Sequence, residues 1–208
     1  CCIGDQEIPS SMVAVDAGGE VLSLAVGSNL LCALLYDGVV RCWGLGIDGG
    51  LGYGHIPDPI NSCPYDAAEQ TFCGEPACCI GDNESPLSLG DVSVGGSVVQ
   101  LSSSGSSHVC AVLGGGDLRC WGLGSSGQLG YGNIEDIGDD ETPASVAPVD
   151  VGGKPIQIVT GDYHTCVRLE GDLIRCWGQG RDGKLGYGST MTIGDMPGQM
   201  PPPNVEVF

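Results

Sequence analysis

The sequence predicts an all-β protein of antiparallel four-stranded sheets, repeated about three times with one strand left over. Three observations carry this prediction. Ile-Gly-Asp recurs at Ile3, Ile80, Ile137 and Ile193, and Cys-Trp-Gly at Cys42, Cys120 and Cys176, which is the signature of a chain of like units. Short β-branched alternations bounded by glycine and proline fill each unit. Glycine supplies 37 of 208 residues, about 18% against an ordinary ~7%, which favours tight turns over helices.

The Ile-Gly-Asp motifs lie 77, 57 and 56 residues apart and the Cys-Trp-Gly motifs 78 and 56 apart. The period is therefore about 56, and the first unit carries about twenty extra residues. The chain divides into repeat 1 over 1–56, a cysteine-rich insertion over 57–79, repeat 2 over 80–136, repeat 3 over 137–192, and the first strand of a further repeat over 193–208. The chain opens at Cys1 with no leader segment, and reads as a mature or excised piece.

Within a unit the elements follow in order. Val13-Ala14-Val15, Val92-Ser93-Val94, Val149-Asp150-Val151 and Val205-Glu206-Val207 read as first strands. After a Gly-Gly turn, second strands follow at Val21 to Val26, Val98 to Ser102 and Ile156 to Val159. A hairpin comes next, Leu31 to Leu35 turning through Tyr36-Asp37-Gly38 into Val39 to Trp43, with counterparts turning at Gly114-Gly115-Gly116 and Glu170-Gly171-Asp172. A glycine-rich loop closes each unit, and no helix is required.

The hairpin register makes a statement about the cysteines. If Leu35 faces Val39 across a three-residue loop, then Cys32 faces Cys42; by the same count Cys110 faces Cys120 and Cys166 faces Cys176. Directly opposed residues bring Cα atoms within disulfide reach, so these three pairs are expected disulfides. Because side chains alternate along a strand, Trp43, Trp121 and Trp177 point away from the disulfides and are expected between neighbouring sheets.

Charge and cysteine content bound the function. Seven basic against 26 acidic residues give a net charge of −19, which excludes unaided binding of nucleic acid or of anionic membranes. Twelve cysteines without paired Cys-x-x-Cys spacing favour disulfides over a thiolate metal site, and so a secreted or cell-surface location. Cys63, Cys73, Cys78 and Cys79 lie close together in the insertion as further disulfide candidates, their pairing open. Cys1 and Cys2 copy Cys78-Cys79 but have no preceding insertion; they either bond to a neighbouring subunit or mark the cut end of a longer parent.

The units resemble the regulator of chromosome condensation repeat. The resemblance is carried by Val40-Arg41-Cys42-Trp43-Gly44 and Gly50-Leu51-Gly52-Tyr53-Gly54, by His108-Val109-Cys110-Ala111 and His164-Thr165-Cys166, and by Gly127-Gln128-Leu129-Gly130-Tyr131-Gly132. It implies blades of a β-propeller, and the cysteines resemble those of bacterial extracellular versions. Nucleosome contact is not implied, since the basic surface for it is missing. Three blades and one extra strand fall short of the four to eight of a closed propeller, so an open arc or superhelix is expected rather than a ring. The strand at Val205, Val207 and Phe208 is then free for a neighbouring copy, head to tail.

No catalytic constellation stands out. His108 and His164 share a position that Leu30 fills in the first unit, and no repeated partner activates them, so the chain is not expected to be an enzyme. Asp5 and Glu7, Asp82 and Glu84, and Asp139, Asp140 and Glu141 cluster on loops. They are weak calcium candidates, against a solvated acidic rim, and no other cofactor is expected. Two functions remain: a non-enzymatic extracellular structural protein polymerising head to tail, or a secreted binding module for a protein or glycan within a closed propeller. In the second case the contacts would centre on Tyr65, Phe72, Tyr53, Tyr131 and Tyr187, although the last three repeat and so suit packing at the blade edge.

Overall fold

A computed structural model describes residues 14–54, 79–80, 85–87, 89–105 and 108–206. Strands β1 (Val21–Val26), β2 (Leu30–Leu35) and β3 (Val40–Leu45) form the first blade, with β4 (Cys79–Ile80) on its outer edge. The second blade is β5 (Val98–Ser104), β6 (His108–Leu113) and β7 (Leu118–Gly122); the third is β8 (Pro155–Thr160), β9 (His164–Leu169) and β10 (Ile174–Gly178). All pairing is antiparallel. Among the described residues the only helices are 3₁₀ turns.

Each hairpin turns on a glycine-bearing loop, and its register is local. Cys32 faces Cys42, Cys110 faces Cys120 and Cys166 faces Cys176. All three pairs are disulfides with Cα atoms 4.1 Å apart. Cys1, Cys2, Cys63, Cys73 and Cys78 lie outside the described residues, as does the side chain of Cys79.

The fourth strand departs from expectation. Val92–Val94 and Val149–Val151 form no strand. The fourth position of each blade is made in two touches by the chain that follows it. Near one end Ile80 pairs with Gly44, Ile137 with Gly122 and Ile193 with Gly178. Near the other, the amides of Val92, Val149 and Val205 donate to the carbonyls of Val40, Leu118 and Ile174 at 2.9, 2.8 and 2.7 Å. Prolines such as Pro143 and Pro148 between the touches supply no N–H, so a continuous ladder cannot form there. The sheets are three-stranded with a pinned fourth edge, and the Val-x-Val segments close the preceding blade instead of opening the next. Val205 accordingly sits on its own chain's β10; Val207 and Phe208 lie outside the described residues.

Burial along the hairpins shows how the blades stack. Every residue of β6 and β7 is buried, because the middle blade is covered on both faces. In β9 burial alternates: Thr165, Val167 and Leu169 are buried, whereas His164, Cys166 and Arg168 on the other face are not. One continuous apolar core runs from Leu30 and Leu51 of the first blade through Val109 and Trp121 to Val167 and Trp177 of the third.

Removing the middle bridge with Cys110→Ala and Cys120→Ala together should lower unfolding stability by about 2–3 kcal/mol, the chain-entropy value for an eleven-residue loop. Urea denaturation of the non-reduced protein measures it.

Candidate functional site

The described residues converge at the junctions between consecutive blades. A strand alternates its side chains, so the disulfide of each blade faces forward and its tryptophan backward. Trp121 reaches the loop behind the first blade, where its indole N–H donates to the Gly50 carbonyl at 3.2 Å; Trp177 does the same to Gln128 at 2.9 Å. Both indoles are fully buried, while Trp43, with no blade behind it among the described residues, is only partly so.

At the second junction the Gln128 carbonyl accepts a second bond, from the Thr165 hydroxyl at 2.8 Å. A hydroxyl has one proton, so the 3.1 Å contact between Thr165 Oγ1 and His108 Nε2 is donated by the imidazole. The pair therefore does not form a base activating a nucleophile, and both residues are 0% exposed. Burial pushes the His108 pKa down to about 4, with His164 adding to the effect. At the first junction the same positions are Leu30 and Val109, an apolar pair in the continuous core.

The inner strands are joined by side chains that imitate strand pairing. Gln100 of β5 donates from Nε2 to the Ile156 carbonyl at 2.7 Å and accepts from the Ile158 amide at 3.2 Å, both on β8. Two residues on, Ser102 Oγ lies 3.0 Å from Thr160 Oγ1 and accepts from the Thr160 amide at 3.1 Å.

The Ile-Gly-Asp motif closes the rim of the junction. Gly138 packs on the Gly49 loop of the preceding blade so tightly that a Cβ on it would lie 2.4 Å from the Gly49 carbonyl oxygen, and its φ is +103°. Only glycine fits there. Gly194 meets Gly127 in the same way.

At the first junction this approach gathers carboxylates. Asp139, Asp140 and Glu141 can place one oxygen each within 4.8 Å of one another, and one oxygen of Asp139 is buried without a partner. Burial and then the Asp140 carboxyl push Glu141 up to about 7. Asp48, from the loop of the first blade, is raised by burial and by Asp139, and Asp136 chiefly by burial. The second junction keeps Asp195 at the place of Asp139, with one oxygen likewise buried and unpartnered, but has Ser126, Thr192, Met196 and Pro197 at the other four places, so the cluster of carboxylates belongs to the first junction. Asp5, Glu7, Asp82 and Glu84 lie outside the described residues.

The repeated tyrosines clasp the disulfide strands. The hydroxyls of Tyr53, Tyr131 and Tyr187 each donate to the carbonyl and accept from the amide of Cys42, Cys120 and Cys176 respectively, at 2.9–3.3 Å. Tyr65 and Phe72 lie outside the described residues. The arginines before those cysteines are functional residues that charge counting missed. Arg41 bonds the Ala17 carbonyl, Arg119 those of Pro143 and Val146, and Arg175 that of Val151 at 2.7 Å. Arg119 thus holds its own blade's outer edge, whereas Arg41 and Arg175 reach the segment before their blade and hold the outer edge through Asp91 and Asn204 at 2.9 and 3.0 Å; the recurrence Arg-Cys-Trp-Gly was the signal that could have shown it.

Models of the regulator of chromosome condensation repeat match residues 116–168 and, in a second form, 98–128 and 156–184. The ultraviolet-B receptor UVR8 of Arabidopsis thaliana is 29% identical over 172 residues, 82% of this chain and 32% of that protein. The E3 ubiquitin-protein ligase HERC2 of Homo sapiens is 28% identical over 191 residues, 90% of this chain and 3% of that one. Among solved structures, human WBSCR16 superposes with a TM-score of 0.61 at 20% identity, over 86% of this chain and 37% of that one. Prp20p of Saccharomyces cerevisiae gives 0.60 at 15%, over 90% and 39%. Repeats of this type are matched within residues 98–184, and the chain folds as propeller blades, spanning about a third of the UVR8 length.

Two predictions follow from the junction chemistry. A histidine whose folded pKa lies below its unfolded value of about 6.5 costs stability as pH falls between the two. The stability difference between the parent and His108→Leu should therefore shift against the parent by up to about 3 kcal/mol from pH 7 to pH 4, read by urea titrations at each pH. For the raised carboxyl of Asp48 the sign reverses, the ionised form being the disfavoured one. Asp48→Asn, which keeps a residue tolerant of its φ of +56°, should raise the melting midpoint by about 1–3 °C at pH 8. The gain should vanish on acidification below pH 4, measured by differential scanning fluorimetry.

Proposed function

We propose that this chain is a non-enzymatic structural element of an extracellular, oxidising compartment, whose disulfide-braced blades assemble with further copies head to tail into a filament. The observation that carries the reading is the exposure of Leu22, Leu24 and Val26 on β1, at 47%, 58% and 57%, beside a middle blade buried on both faces. An apolar stripe on a blade face is the surface the repeat elsewhere covers with the blade before it. Three fully formed disulfides suit a compartment where thiols oxidise. Because Val205 is used within its own chain, the assembly uses blade faces and not donation of that strand. The charge of −19 keeps such an assembly dispersed and sensitive to ionic strength.

The second reading is a binding module for a protein or glycan within a closed propeller. It is favoured by one observation, that the chain spans about a third of UVR8 and of the solved neighbours. Prp20p is described with binding properties to Gsp1p and histones; for a chain this acidic, a basic protein is the corresponding ligand class.

Electron microscopy of the non-reduced 208-residue protein at low and moderate salt separates the two. Regular filaments or head-to-tail oligomers that lengthen as salt screens the charge are the expected result. Monomers at all concentrations overturn the assembly and leave the binding module.

A further inference from the structure

We infer that the Arg119 guanidinium is the docking site for a carboxylate that this chain does not itself supply, taken on the Nε–Nη2 edge beside Gly95. Every residue involved lies inside the array of blades, so the site is independent of the head-to-tail reading above.

Arg41, Arg119 and Arg175 hold the same place before the second cysteine of their hairpins. Nε and Nη2 of Arg41 close together on one oxygen of Asp91, at 2.9 and 2.8 Å, and Nε of Arg175 holds Oδ1 of Asn204. Asp91 and Asn204 stand directly before Val92 and Val205, two of the residues that pin the fourth edge. Before Val149, the third of these valines, stands Pro148, whose side chain offers no oxygen. Arg119 accordingly sits differently. Nη1 turns to the carbonyls of Pro143 and Val146, Nε is buried without a partner, and Nη2 makes no hydrogen bond among the described residues and keeps access to solvent.

That leaves a cation 8% exposed which no ion pair among the described residues includes. Removing a guanidinium from water without an opposite charge is costly, and two adjacent N–H donors on one planar edge match a carboxylate. The surroundings leave room for one. At Gly18 and Gly152 a methyl group would run into Nη1 of Arg41 and of Arg175, and at Gly18 into Leu87 as well. At Gly95 the same methyl carbon would lie 3.4 Å from Nε and 3.5 Å from both Nη2 and the Ala144 side chain, so the open edge is flanked by a glycine and an alanine. Gly95, Gly96 and Pro148 are exposed, which brings this edge within reach of the surface.

Charge narrows the class of ligand. Arg119 and Glu141 act on the same Tyr131 hydroxyl in opposite directions, so an acid of this chain stands near the site without pairing with it. A singly charged carboxylate is repelled by it less than a phosphate dianion would be.

The probe is acetate, titrated against chloride at constant ionic strength into the whole non-reduced chain, with the arginine Nε–H signals followed by two-dimensional proton–nitrogen NMR. The Arg119 signal should move saturably, half-way at about 10 mM, while those of Arg41 and Arg175 stay in place. In Pro148→Asp the chain supplies the carboxylate: the Arg119 signal should stand near the bound position without acetate, its apparent affinity for acetate should fall at least about tenfold, and the melting midpoint should rise. A blocked tripeptide with one central glutamate is the second probe. Binding at least as tight as that of acetate assigns the carboxylate to a protein side chain, and binding of acetate alone assigns it to a small free acid. An Arg119 signal unmoved by about 100 mM acetate, or one that moves in step with Arg41 and Arg175, overturns the site. So does a parent signal that shifts on Glu141→Gln by as much as acetate moves it, because the edge is then already filled by this chain's own carboxylate. A Pro148→Asp variant that keeps the parent's response overturns it as well.

Discussion

Everything in the molecule depends on how one blade is handed to the next. A carbonyl in the glycine loop of one blade receives the indole N–H of the following tryptophan, and at the second junction Gln128 receives the Thr165 hydroxyl as well. With both lone pairs used, that carbonyl is fully satisfied inside the core, which is the condition for burying it without loss. The blades are small and poor in aromatics, so no single sheet could bury enough apolar surface to stand alone. Stability comes from stacking, and stacking requires that the polar groups trapped between sheets find partners.

That requirement explains the division of labour across the two faces of each hairpin. The forward face holds the disulfide, which fixes the hairpin from within and asks nothing of its neighbour. The backward face holds the tryptophan, which contributes area and one donor to the blade behind. Outside the sheet, a tyrosine clasps the disulfide strand and an arginine pins the pieces of chain that stand in for a fourth strand. The edge is held by side chains where prolines prevent a ladder, which also blunts it against unwanted pairing.

These features were unequally legible in the sequence. The disulfides and the facing of the tryptophans follow from hairpin counting, because loop length fixes register over about ten residues and no distant contact can alter it. The fourth edge was misread: Val92 and Val149 look like strands in isolation, yet their pairing is decided by a blade already completed upstream and by the prolines between. Arg41, Arg119 and Arg175 were hidden by treating basic residues as a charge balance and not by phase. The Gln100 clasp left no trace at all, since its partners are main-chain atoms of another unit. Asp139, Asp140 and Glu141 were visible as a cluster, whereas Asp48 joins them only through the close approach of Gly49 and Gly138.

The acidic seam shows what repetition permits. Two junctions share one backbone geometry, and the glycine contacts that create it are the same in both. At the second junction the one carboxylate at these places is Asp195, the counterpart of Asp139; at the first, Asp48, Asp136, Asp140 and Glu141 join it, and burial and then neighbouring carboxylates raise the pKa values of Asp48, Asp136 and Glu141. Like charges held together oppose folding at neutral pH, so the first junction is weakened by its own side chains while the second is reinforced by the His108, Thr165 and Gln128 chain. An array of equivalent units therefore has unequal joints: both keep the indole-to-carbonyl bond, but the first has the apolar pair Leu30 and Val109 where the second has a bonded histidine and threonine.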